Sequence, residues 1–76
     1  MTALLTRIEP DRNMARFYRV EVTADLFGGR QIIRHWGRVG THGQSLHRWC
    51  ATEAEAQGLT QALLAAKLRR GYSPAD

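Results

Sequence analysis

From Arg16 to Ala24 the chain alternates without a break, placing Tyr18, Val20 and Val22 on one face and Phe17, Arg19, Glu21 and Thr23 on the other. A period of two belongs to a strand with one buried face, and such a strand needs neighbours to satisfy its backbone. The flanking sequence supplies them at hairpin distance. Gly28-Gly29 offers the positive backbone angles of a tight turn and hands over to Arg30–Arg38, rich in β-branched and aromatic residues through Ile32, Ile33 and Trp36. Val39-Gly40-Thr41-His42-Gly43 reads as a second turn, leading into a strand over Gln44–Cys50. Pro10-Asp11-Arg12-Asn13 ends an earlier strand over Ala3–Glu9.

After Cys50 the pattern changes period. Thr52-Glu53-Ala54-Glu55 fits a capping box, in which the Thr52 hydroxyl accepts from the Glu55 amide and the Glu55 carboxylate reaches back to the Thr52 amide. Leu59, Leu63 and Ala66, joined by Ala56 and Ala62, recur at helical spacing and form a stripe for the sheet. Lys67, Arg69 and Arg70 complement the negative helix end, and Gly71 stands where a left-handed cap is needed. Gly58 costs the helix about 1 kcal/mol relative to Ala and is read as a point of close approach to a strand. Strands followed by one helix predict an α+β fold: a small antiparallel sheet of four to five strands, one C-terminal helix packed on one face, the other face free.

With 76 residues, a single domain over 1–76, its core spanning about 3–72, is the expected organisation. Cys50 is the only cysteine, so neither an internal disulfide nor a zinc cluster is expected, and a reducing cytoplasm is the expected compartment. Leu4, Leu5 and Ile8 are too few to make a signal or membrane segment, and no membrane partner is expected. The acid-rich site at Glu53 and Glu55 is accounted for by capping, and Cys50 has no orienting acid beside His35 or His47. An enzyme is therefore not expected, and no cofactor or metal is implied. The glycines of 37–43 close a hairpin and do not lead into a helix, unlike a phosphate-cradling loop.

Charge singles out the middle of the chain. Ten of the eleven basic residues are Arg, and between Asp25 and Glu53 no acid interrupts Arg30, Arg34, Arg38 and Arg48, which share that window with all three His and both Trp. Arg forks grip phosphate in two places and stack on rings. A tight Val39–Gly43 connection pairs Trp36 with Leu46 and Arg34 with Arg48. That sets Arg34, Trp36, Arg38 and Arg48 on one face and Ile33, His35, His47 and Trp49 on the other. An indole lined by guanidiniums can stack a base while the cations hold phosphates. Ile32 shares the Trp36 face, so periodicity alone leaves open whether the ring faces solvent or core.

The string Trp36-Gly37-Arg38-Val39-Gly40, followed by Gly43-Gln44, resembles the signature of the WGR domain family. Phe17-Tyr18-Arg19-Val20, Gly29 and the helix over Thr52–Arg70 are similar to the family's aromatic strand, hairpin glycine and long C-terminal helix. The resemblance implies an antiparallel sheet with one flanking helix. In the eukaryotic poly(ADP-ribose) polymerases the family's domain helps recognise DNA ends, its Trp packing near the terminal nucleotide and its Arg coupling DNA to neighbouring domains. By that likeness Trp36 is a stacking platform and Arg38 a phosphate or interdomain contact. The polymerases' Lys-Thr-x-Asn-x-Trp ending is absent, and Lys67-Leu68-Arg69-Arg70-Gly71-Tyr72 looks like bacterial members.

The expected function is a non-enzymatic nucleic-acid-binding module for DNA ends or single-stranded regions, using Trp36 with Arg34, Arg38, Arg48 and Arg30, and with Arg69 and Arg70 as additional basic contacts. The alternative is a protein-interaction or regulatory module using the same Trp and Arg surface. A monomer or weak homodimer is expected either way, since a small sheet with an exposed edge or apolar patch can self-associate.

Overall fold

The structure, a computed structural model, describes residues 1–75. In chain order the elements are β1 (Thr2–Glu9), a 3-10 turn (Pro10–Arg12), β2 (Met14–Ala24), β3 (Arg30–Arg38), β4 (Gln44–Cys50), α1 (Glu53–Arg69) and β5 (Ser73–Pro74). They form an antiparallel sheet of five strands in the order β4-β3-β2-β1-β5 with α1 on one face, the α+β arrangement expected. No helix among the described residues is long and apolar enough to cross a membrane.

Alternation decides which face α1 covers. Tyr18, Val20, Ile32 and Cys50 point to one side of the sheet and form a buried cluster with Ala56 of the helix, and Leu5, buried opposite Tyr18 on β1, shares that side. Leu59, Leu63, Leu64 and Trp36 pack around that nucleus half-buried. Ala62, expected in the apolar stripe, is exposed, and Thr60 is buried in its place. A Cβ built on Gly58 would meet nothing within 4 Å, which overturns the expected close approach to a strand: the glycine faces open space.

Both helix ends follow from local chemistry. The Thr52 hydroxyl accepts from the Glu55 amide at 3.1 Å, the first half of the expected box. At the other end Gly71 takes φ +94, its amide donates to the Leu68 carbonyl at 3.1 Å, and the Tyr72 amide donates to the Lys67 carbonyl at 3.1 Å. This Schellman arrangement reverses the chain and sends Ser73–Pro74 back along β1. This edge strand β5 is the fifth of the four to five strands expected, and its position has no periodic signal because it is a two-residue segment ending in Pro.

The β3–β4 register corrects the expectation by two residues. Trp36 lies opposite Gln44, Arg34 opposite Leu46, and Arg48 opposite Ile32. The cause is a turn tighter than the run Val39–Gly43 implies. The Arg38 carbonyl accepts from the Thr41 amide at 3.0 Å and from the Thr41 hydroxyl at 2.7 Å, so the chain reverses around Gly40. Gly43 then passes so close to the Trp36 carbonyl that a Cβ there would lie 2.2 Å from its oxygen, at φ +69. A slip of two keeps every side chain on its face, so Arg34, Trp36 and Arg48 still share one side.

Candidate functional site

Beyond the apolar nucleus, the helix-covered face turns cationic where the last turn of α1 crosses β2 and β3. Trp36 is half-buried there and lines two adjoining clefts of about 360 and 490 Å³. Arg34, Arg70 and Lys67 border the first, and Arg16, Arg38 and Lys67 the second. The Arg34 guanidinium sits over the Trp36 ring at 5.8 Å. Among the described residues, Arg16, Arg34, Arg38, Lys67 and Arg70 have no carboxylate within salt-bridge distance, while Arg7, Arg19 and Arg30 do.

Lys67 stands at the centre. Its ammonium lies 4.9 Å from the Tyr18 ring and 5.3 Å from the Tyr72 ring, the latter brought round by the Gly71 turn. Burial lowers its pKa from the ordinary lysine value, and the charges of Arg70, Arg16 and Arg34 lower it further. The Tyr18 hydroxyl is buried and has no hydrogen-bond partner among the described residues. Burial pushes its pKa up against the opposing pull of the Arg34 guanidinium. Repelling cations gathered around the half-buried Trp36 and Tyr72 rings and the buried Tyr18, without a carboxylate among the described residues to neutralise them, form a surface suited to an anion with flat groups attached.

The motif arginine has a partner of its own. Arg38 donates from Nη1 to the Asn13 carbonyl at 3.1 Å and from Nη2 to Asn13 Oδ1 at 3.2 Å, tying the β3–β4 turn to the β1–β2 turn. The Val39 amide donates to the Ala15 carbonyl at 2.8 Å alongside. Arg38 remains exposed at the cleft mouth.

The other sequence-selected cations separate. Arg48 borders a smaller groove of about 270 Å³ with Arg34, Ile32, Leu46, Leu59 and Leu63, next to the cleft. Arg30 lies at the opposite end of β3, 4.0 Å from Glu53. Arg69 is exposed on the last turn of α1, whereas Arg70 borders the cleft. Arg16, Lys67, Tyr18 and Tyr72 were not selected from sequence. Arg16 shares the parity of Tyr18, Val20 and Val22 on β2, and Lys67 follows Leu63 by four along the helix stripe, so both signals were present.

Three comparisons bear on this geometry. The family model described as "WGR domain" matches residues 1–76. The chain is 43% identical over 68 residues to the uncharacterised protein y4dW of Sinorhizobium fredii, covering 90% of this chain and 33% of that protein. A crystal structure of a Bacteroides fragilis protein superposes with a TM-score of 0.84 at 22% identity, covering the whole of this chain and 20% of that one, which establishes likeness of fold. The chain thus spans about a third of its curated relative and a fifth of the solved one.

Proposed function

The chain belongs to the WGR domain family, known as nucleic-acid-binding rather than catalytic modules, and we propose that it binds nucleic-acid ends or single strands through the cleft around Trp36. The carrying observation is the convergence of Arg16, Arg34, Arg38, Lys67 and Arg70 on one indole without a balancing carboxylate among the described residues. Trp36, half-open between the clefts, takes the face of a base or sugar, and the cations hold the phosphates either side. Arg48 extends the track along the neighbouring groove. A terminal or unpaired nucleotide suits this surface better than a duplex interior, whose bases are stacked away and whose grooves admit a helix or ribbon that this face does not offer.

Fluorescence anisotropy with blunt, nicked and single-stranded oligonucleotides across a salt series tests the reading. Neutralising about four phosphates gives a log K against log salt slope near −3.6 for duplex and −2.8 for single strands. Trp36→Ala is expected to cost about 1–3 kcal/mol of binding. Absence of salt-dependent binding to all three probes overturns the proposal. If binding of a protein partner survives nuclease treatment and is lost in Trp36→Ala, the same surface is a protein-interaction site instead.

A further inference from the structure

At the opposite end of the molecule, the β2–β3 hairpin tip displays Leu26 and Phe27 at 96% and 94% exposure, the two most exposed large apolar side chains described. Neither packing nor turn chemistry asks for them. The tip is held from its backbone and by Asp25: the Gly28 amide donates to the Asp25 carbonyl and the Asp25 amide to the Gly29 carbonyl, both at 3.2 Å. The Phe27 amide donates to Asp25 Oδ2 at 3.1 Å, and Gln31 Nε2 donates to Oδ1 at 3.0 Å. Trp49 Nε1 closes the brace on the Gly28 carbonyl at 2.9 Å. The central positions of such a turn accept polar residues readily, so a Leu-Phe pair there is free of any structural demand.

Beside the tip, on the helix face, lies a groove of about 610 Å³, with apolar walls at Met1, Val22 and Ala24 and polar ones at Gln57, Thr60 and the Arg30–Glu53 pair. Ala24 and Arg30 are also the residues that lead into and out of the tip. We propose that this end of the molecule is a self-association surface: Leu26 and Phe27 of one copy seat in the groove of a second copy, and the second copy's tip seats in the first.

Tip and groove form one contiguous patch, so a single two-fold axis satisfies both insertions and closes the assembly at two copies. Charge favours this end for the encounter. Asp25 is occupied within the tip and Arg30 faces Glu53, whereas Arg16, Arg34, Arg38, Lys67 and Arg70, without a carboxylate partner among the described residues, lie around Trp36 toward the other end of a molecule 45 Å long. Two chains of formal charge +4 thus meet with their cationic clefts pointing apart. Each buried aromatic hides roughly 150–250 Å². Two tips with the walls that receive them reach roughly 1,000 Å², the lower end of what holds folded proteins together, so the dimer is weak and exchanging. Its salt dependence is opposite to that of nucleic-acid binding: screening relieves the residual repulsion between like-charged copies.

Sedimentation equilibrium of the full chain from about 10 µM to about 1 mM, bracketing the range of weak complexes, tests this. The wild type is expected to approach twice its 8.6 kDa mass, and no less readily at higher salt. Leu26→Ser/Phe27→Ser is expected to weaken association at least about tenfold with circular dichroism and melting unchanged, because these side chains support no packing. Gln57→Arg, on the groove wall, is expected to do the same. Mixing the two variants restores one of the two insertions and therefore a heterodimer. A wild type that stays monomeric at the highest concentration overturns the inference. So does a tip or groove variant that associates like wild type, or a mixture that shows no more association than its components. Oligonucleotide affinity of the tip variant, measured in parallel, stays at the wild-type value, so the two readings fail separately.

Discussion

A guanidinium keeps its charge at any pH a folded protein survives, so among the side-chain cations around Trp36 only Lys67 can report its surroundings by losing a proton. It is also the only lysine in the chain, and selective labelling of lysine Cε gives a single NMR signal free of overlap. Burial first, then Arg70, Arg16 and Arg34, make the folded chain hold this proton less tightly than the unfolded one. The titration midpoint is therefore expected below the ordinary value of 10.5, and an oligonucleotide phosphate in the cleft is expected to move it back up. In the window just below 10.5 the unfolded chain binds more protons, so this group's contribution to stability rises with pH there. Tyr18 acts with the opposite sign: its raised pKa keeps the folded chain protonated above 10.0, and its contribution falls as pH climbs through that range. A Lys67 midpoint unmoved by bound oligonucleotide places the phosphate elsewhere. Asn13 tests the motif arginine without removing a charge. At φ 51 it is the only non-glycine residue with a positive φ among the described residues, and it supplies both Arg38 acceptors. Asn13→Ala is expected to lower stability by about 1–2 kcal/mol through the left-handed backbone alone. Asn13→Gly spares the backbone and removes only the Oδ1 acceptor. Weaker oligonucleotide binding in both variants, at unchanged net charge, identifies the Arg38–Asn13 tie as what aims the guanidinium.

Strands and helix were legible because their signals are local and repeated. The alternation over Arg16–Ala24 and the cap at Thr52 each specify a backbone state within a few residues, and the structure bears out both. The β3–β4 register was not, because it hangs on one carbonyl: Arg38 receives two Thr41 donors and moves the reversal toward Gly40. Faces survived the slip because side chains repeat every two residues, which is why Arg34, Trp36 and Arg48 were grouped correctly although their partners were not. Gly58 failed for a different reason. A helical glycine looks the same in sequence whether it is pressed against a strand or turned to solvent, and here its Cβ direction is empty. That emptiness makes a prediction at the level of the helix. Gly58→Ala is expected to stabilise the protein by about 0.5–1 kcal/mol. For a domain of this size that raises the melting midpoint by about 2–8 °C. A destabilised variant in thermal denaturation means that α1 sits closer to its surroundings than the structure has it.

The molecule as a whole is electrically lopsided, and that property was the least legible in the sequence. Reading along the chain groups Arg30 with Arg34 and Arg38 because no acid intervenes. In space, about 3.3 Å per residue along β3 puts Arg30 roughly 20 Å from Trp36, at the end where Glu53 answers it. Arg16 and Lys67 travel the other way: a neighbouring strand and the last turn of the helix deliver them to the cleft, a convergence that depends on how α1 crosses the sheet. One end thus gathers Arg16, Arg34, Arg38, Lys67 and Arg70 around Trp36, without a carboxylate partner among the described residues, and the other carries an apolar tip beside the Arg30–Glu53 pair. Such a distribution orients the molecule as it approaches a polyanion, so the cations at the cleft govern both the association rate and its salt dependence. Arg16→Gln/Arg70→Gln is expected to make the log K against log salt slope shallower by about 1.8 on duplex ends, two phosphate contacts at about 0.9 each. Arg30→Gln removes the same kind of charge from the far end, and the slope is expected to stay at the wild-type value. Equal losses from both changes in an anisotropy series would mean that net charge alone draws nucleic acid to the surface. A loss confined to Arg16 and Arg70 means that the fold, by gathering distant cations around Trp36, builds the site.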